Sequence, residues 1–182
     1  MPAYVAFLRA INLGARRKFP KADLARVVEG TGATGVAVHL NTGNVLLTSR
    51  QRSSGAVVRT LEAAFLADRG FEVPTVVLTL PELGRVAAEA DEVAGQAPFA
   101  VGAHYVSFLT QDPDPAGLAR FAALEAKGEY AAVRSRVVHL LIDAKDQLHT
   151  AKLPAAVERH LGVATNRNLR VVAELARRWG DR

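Results

Sequence analysis

Two spacings of apolar residues alternate along this chain, one of strands and one of helices. Tyr4-Val5-Ala6-Phe7-Leu8-Arg9 is an almost unbroken apolar run and reads as a buried strand. Beyond the loop that carries Asn12, Gly14 and Lys18-Phe19-Pro20, Leu24, Val27 and Val28 recur at helical spacing until Gly30 and Gly32 stop them. Apolar residues 36–40 and 45–47 then flank Asn41-Thr42-Gly43-Asn44, residues that accept a positive φ or bond to nearby backbone. That arrangement predicts a β-hairpin. Residues 55–69 read as a helix with Val57, Val58, Leu61, Ala64 and Phe65 on one stripe, ended by Gly70. Residues 71–78 read as a strand, which Pro74 assigns to an edge or confines to its first residues. The order is β-α-β-β-α-β, that of a ferredoxin-like split unit.

Pro81 opens a further helix with Leu83, Val86, Ala87 and Ala90 facing inward. With the loop through Pro98-Phe99 it joins the first round of elements to a second. Residues 104–109 are a strand, Asp112-Pro113-Asp114-Pro115 a turn and helix start, and Leu118, Phe121 and Leu124 mark the helix up to Gly128. Residues 129–133 and 137–142 read as strands around Arg134-Ser135-Arg136. Leu153, Ala156, Val157, His160 and Leu161 form the next helical stripe, ended by Gly162. No clear fourth strand follows. Thr165-Asn166-Arg167-Asn168 leads instead into a last helix with Leu169, Val172, Leu175 and Trp179 as its apolar positions, Thr165 or Asn168 being a natural N-cap. The expected fold is therefore α+β, a duplication of two ferredoxin-like (βαββαβ) subdomains. The second has an incomplete fourth strand and a C-terminal helix. Residues 1–80 form the first half, 81–100 a connecting helix and loop, and 101–182 the second half.

Composition changes this picture little. A chain of 182 residues with 49% hydrophobic content can build a substantial core. It has no cysteine, which excludes disulfides, thiol nucleophiles and cysteine-ligated zinc and suits a cytoplasmic protein. Met1-Pro2-Ala3-Tyr4-Val5 lacks a basic region leading an apolar core, so no signal peptide is expected, and no apolar run approaches the roughly 20 residues that span a bilayer. The net charge of +5 comes mostly from arginine and is compatible with a polyanion partner, although a solvated basic surface explains it as well.

Motifs exclude more than they establish. Gly30-Thr31-Gly32-Ala33-Thr34-Gly35 has dinucleotide-fingerprint spacing, but a helix precedes it and a strand follows, the reverse of what that chemistry needs. There is no P-loop and no G-x-S-x-G elbow. Histidines 39, 104, 139, 149 and 160 have no metal-ligand spacing, so no metal or cofactor is expected, and each reads as a lone histidine. The acidic pairs Asp112/Asp114 and Asp143/Asp146 sit in turns and are explained by capping. The same element order occurs in RNA-binding modules, but residues 45–47 carry no aromatic, and Tyr4 and Phe7 point to opposite faces, so the base-stacking platform is missing. Two polar clusters remain: Arg9, Asn12, Gly14, Arg16, Arg17, Lys18 and Lys21 after the first strand, and Thr165, Asn166, Arg167, Asn168 and Arg170 near the end. Their amides and guanidinium groups suit a small anionic or nucleotide-like ligand. Arg9, Asn12, Asn44, Arg167 and Asn168 are the candidate ligand-binding residues. No catalytic residue is identified, since no nucleophile stands beside a base, and an enzyme or an interaction module are the alternatives.

Phe7-Leu8-Arg9-Ala10-Ile11-Asn12-Leu13-Gly14, Lys18-Phe19-Pro20, Thr42-Gly43-Asn44-Val45, Ala97-Pro98-Phe99 and Thr165-Asn166-Arg167-Asn168 occur in this order. In this the chain resembles the bacterial domain-of-unknown-function family 1697 over nearly its whole length. The family pattern is matched at Arg9, Ile11, Asn12, Gly14, Gly43, Asn44, Pro98, Phe99, Thr165, Arg167 and Asn168. Ala10 stands where glycine is usual, Thr42 where serine is usual, and Leu169 where tryptophan is usual. The resemblance implies two ferredoxin-like subdomains and no particular activity or cofactor.

Overall fold

A computed structural model describes every residue except 15–16, 145–147, 149 and 181–182. Arg16 of the first polar cluster, Asp146 and His149 lie outside the described residues. The fold is α+β, built on two four-stranded antiparallel sheets with helices, compatible with a repeated βαββαβ-like arrangement. The contacts divide the chain into two compact units, Met1–Leu83 with Arg177–Arg182, and Gly84–Ala176. The sequence reading has breaks at residues 80 and 100. The contact-based units meet between Leu83 and Gly84 and again between Ala176 and Arg177.

In the first unit the order is β1 (Ala3–Leu8), α1 (Lys21–Gly30), β2 (Thr34–His39), β3 (Asn44–Thr48), α2 (Ser54–Arg69) and β4 (Thr75–Thr79). The sheet order β2-β3-β1-β4 puts β3 between β1 and β2 and antiparallel to both, the split arrangement that one crossover helix and one hairpin produce. Tyr4, Ala6, Leu8, Val45, Leu47 and Val77 pack on one face with Leu24, Val28, Leu61 and Phe65 of α1 and α2. Val5, Phe7, Leu46, Val76 and Leu78, which alternate with them, are buried as well. Tyr4 and Phe7 thus lie on opposite faces. β4 starts directly after Pro74 and is an edge strand, so the missing N–H interrupts no ladder. Ser53 caps α2 by accepting from the Ala56 N–H at 3.2 Å, and Gly70 ends it in the left-handed region at φ 71°.

The second unit takes in α4 (Ala90–Gln96), β5 (Ala103–Leu109), α5 (Pro115–Ala122), β6 (Glu129–Arg134), β7 (Val137–Ile142), α6 (Lys152–His160) and β8 (Ala164–Asn168). The unit boundaries fall inside α3 (Leu80–Ala88) and α7 (Leu169–Trp179). The sheet order is β6-β7-β5-β8. Leu109, Val138 and Leu140 pack with Phe121, Leu153 and Val157 of α5 and α6, while Val93 of α4 packs on Ala132 and Leu141 from the other face.

The fourth strand of the second sheet corrects the sequence reading, which stops one strand short. Residues 164–168 pair antiparallel with β5, from Tyr105↔Asn168 to Leu109↔Ala164. The segment reads Ala-Thr-Asn-Arg-Asn, and asparagine is depleted in strands. It is an edge strand whose order comes from backbone pairing to β5, so its side chains show no apolar alternation.

The hairpin tip is the most constrained turn of the first unit. Gly43 has φ 77°, and its carbonyl accepts from the Leu8 N–H at 2.8 Å. A Cβ added at Gly43 would lie 2.7 Å from Leu8 Cβ and 3.0 Å from Ile11 Cδ1. Ala10 adopts φ 56° at the position where the resembling family usually has glycine. Gly43→Ala is therefore expected to destabilise the chain by about 2 kcal/mol or more, through both conformation and overlap. Ala10→Gly should stabilise it by up to about 1 kcal/mol, because a left-handed alanine carries a steric penalty that glycine lacks. Urea unfolding of the two variants measures both.

Candidate functional site

Two side chains of the first polar cluster, Asn12 and Arg17, fasten backbone. Asn12 Oδ1 accepts from the Phe19 N–H at 2.8 Å, while Nδ2 donates to the carbonyls of Phe19 at 3.1 Å and Asn41 at 2.6 Å. One amide thus closes the loop on itself and ties it to the hairpin. Arg17 donates from Nε to the Ala10 carbonyl at 2.7 Å and from Nη2 to the Glu72 carbonyl at 2.6 Å, with its guanidinium 4.7 Å from the Phe71 ring centroid. Asn44 is fully buried, and its Nδ2 donates to the His39 carbonyl at 2.9 Å and to Thr42 Oγ1 at 3.0 Å. Arg9 follows β1, half-buried, its N–H donating to the Pro74 carbonyl at 2.9 Å. Arg9, Asn12 and Asn44 therefore gather at one end of the first sheet.

Arg167 and Asn168 belong to the second unit. Arg167 is 8% exposed, and its Nη1 donates to Thr165 Oγ1 at 2.8 Å and to the Asn166 carbonyl at 2.7 Å. Burial lowers its pKa to about 10, which still leaves it protonated at neutral pH. The register puts it opposite Val106, which in turn faces His139 on β7, so the three form one row across the sheet on the same face. Asn166, on the other face, donates from Nδ2 to Ser107 Oγ at 3.0 Å. Asn168 Oδ1 accepts from the Arg170 N–H at 2.9 Å, the bond of an N-cap to the second residue of α7.

Around this cap lies a recess of about 310 Å³, lined by Gly102, His104, Tyr105, Asn168, Leu169 and Arg170 among others. The positive end of the α7 dipole and the Arg170 side chain both belong to it. His104 introduces a group that the sequence reading passed over. Its Nε2 lies 3.0 Å from His139 Nδ1, one ring donating to the other. His139 is fully buried, and its Nε2 has no partner. Burial, then the neighbouring His104 and Arg134, lower the His139 pKa to about 4. Burial lowers His104 too, opposed by the carboxylate of Asp91. Both rings are neutral at pH 7. Two histidines 35 residues apart look solitary in a sequence; the available signal was a polar residue inside the apolar run Val137-Val138-His139-Leu140-Leu141. Among the described residues no cluster of three or more histidines and carboxylates could hold a metal ion, and no helix is long and apolar enough to cross a membrane.

A chain of two antiparallel four-stranded sheets, with polar groups at strand ends and caps, is of a type already seen among bacterial proteins. This chain belongs to the family described as "Protein of unknown function (DUF1697)", whose model matches residues 1–139. Its structure is similar to that of the conserved bacterial protein SP0830 from Streptococcus pneumoniae, with a TM-score of 0.77 and 21% sequence identity over 97% of each chain. At that identity the likeness is one of fold. None of the curated proteins matches the chain. Neither the family nor the structural neighbour indicates a specific function.

The histidine pair makes stability depend on pH. An unfolded histidine titrates near 6.5, well above the folded His139 at about 4, so the unfolded chain binds more protons between these values. Stability is then present in full above about pH 6.5 and falls as pH drops towards 4, by about 2–3 kcal/mol for His139 alone. Denaturant unfolding across this window should show the slope in the wild type and a smaller one in His139→Leu.

Proposed function

We propose that this is a cytoplasmic protein that binds a small anionic ligand, and that each half is a ferredoxin-like module presenting polar groups from its strand ends. The observation that carries the reading is the recess at the start of α7, where Arg170, the Asn168 cap and His104 meet. Helix N-termini favour anions because their backbone dipoles sum to a partial positive charge there. Arg167 adds a buried positive charge immediately before the cap. Leu169, in place of the tryptophan usual in the family, is part of the same lining. Asn168 keeps its candidate role, now joined by Arg170 and His104. Asn12 and Asn44 lie in the first unit and engage their amides with backbone and hairpin, so this reading gives them no ligand contact.

An enzymatic reading is favoured by one observation. His104 is neutral and hydrogen-bonded to a second neutral histidine, a state able to accept a proton from a bound molecule. Under that reading His104→Gln, at a residue that also lines the recess, lowers any turnover of a bound phosphate ester by far more than it weakens anion binding.

Titration of the full chain with inorganic phosphate, followed by amide chemical shifts, tests the binding reading. Residues 102–105 and 168–171 should respond, and Arg170→Ala should weaken binding about tenfold, as loss of one charge-assisted hydrogen bond would. Phosphate responses confined to other residues, or an undiminished affinity in Arg170→Ala, refute it.

A further inference from the structure

The first unit holds a recess of its own, of about 350 Å³, between the turn after α1, the end of β3 and the first half of α2. It lies in the other unit from the α7 recess and does not rest on the anion reading given above. Its floor is apolar: Leu47, Val57 and Leu61 are each at most 2% exposed. Its polar groups come from Ser49, Arg50, Gln51 and Thr60. The Tyr4 hydroxyl donates to the Gln51 carbonyl at 2.9 Å, which anchors this segment beyond β3.

The hydrogen bonds inside the recess are incomplete in a specific way. Gln51 Nε2 donates to Thr60 Oγ1 at 2.7 Å, and the Gln51 N–H donates to Ser49 Oγ at 3.2 Å. Both hydroxyls therefore serve as acceptors, and each keeps its own proton to donate. Gln51 Oε1 is shut off from solvent and accepts from nothing. Turning the amide about its soft terminal torsion exchanges its ends and still leaves one unmatched. A buried acceptor without a donor costs about 1–3 kcal/mol, a cost that a bound donor would remove once the Gln51 side chain turns into the recess. Arg50, exposed at the rim, has no hydrogen bond or ion pair among the described residues.

We infer that this recess is a binding site for a pyrimidine nucleotide. The complement required is a flat body with apolar faces for Leu47, Val57 and Leu61, an N–H beside a carbonyl on one edge for Gln51 and the Ser49 and Thr60 hydroxyls, and an anionic group for Arg50. A uracil-type ring carrying a phosphate has all three. A bare anion leaves Gln51 unmatched, and an uncharged sugar leaves Arg50 unused. The volume lies within the roughly 300–1,000 Å³ of small-molecule sites.

Titration of the full chain with uridine 5′-monophosphate, uridine and inorganic phosphate, read by amide chemical shifts, tests this. Uridine 5′-monophosphate should shift residues 31–32 and 49–51, uridine should do so more weakly, and phosphate should not. Gln51→Leu should weaken the nucleotide about tenfold, Thr60→Val, which keeps the side-chain shape, should weaken it severalfold, and Arg50→Ala should bring it to the level of uridine. No shift of these residues at millimolar nucleotide, or unchanged affinity in both Gln51→Leu and Thr60→Val, overturns the assignment. A nucleotide response confined to residues 102–105 and 168–171 also overturns it, while leaving the α7 site standing.

Discussion

Strands buried on both faces have no solvent side on which to leave a polar group, and most of what is distinctive in this protein follows from that. In the first sheet Val5 and Phe7 are as buried as Tyr4 and Ala6. In the second, Val106 and Phe108 are as buried as Leu109. Any polar residue on such a strand must find a partner inside the protein or carry a desolvation cost. Asn44 does so by bonding back across its hairpin, Ser107 by accepting from Asn166, and Arg167 by donating to Thr165 and to its own neighbour's carbonyl. His104 and His139 do so by pairing with each other while remaining uncharged.

The same constraint separates polar residues that fasten backbone from those that do not. A basic loop invites an anion, yet Arg17 is directed at two backbone carbonyls and the Asn12 amide at the loop and hairpin. These bonds hold the segment between β1 and α1, whose described residues form neither helix nor strand. The buried unmatched side-chain groups among the described residues are elsewhere: His139 Nε2, on the ring paired with His104, and Gln51 Oε1 beyond β3. Neither place belongs to an obvious motif, because each assembles residues from elements distant in the chain.

Much of the architecture was legible in the sequence. Periodicity located the β1, β3, β5 and β7 strands and the helices that cover them, and the tetrad Asn41–Asn44 identified the hairpin. Pro74 marked an edge. These features depend on local rules: side-chain alternation, helical spacing, and the few residues that tolerate turns. β8 was not legible, since its residues obey none of them and its order comes from pairing with β5.

The candidate sites divide in the same way. Arginine and asparagine near strand ends can be read from the chain, and Asn168 as a cap follows from its place before a helix. Whether an amide points at backbone or at an empty recess is settled by three-dimensional neighbours. His104 meets His139, and Gln51 meets Thr60, only because strands and helices bring them together. The chain by itself determined which segments become strands and helices, because that choice rests on interactions a few residues apart. The tertiary structure alone decided which polar groups find a partner and which do not, because a hydrogen bond needs its partner within about 3 Å in space, whatever the distance in sequence.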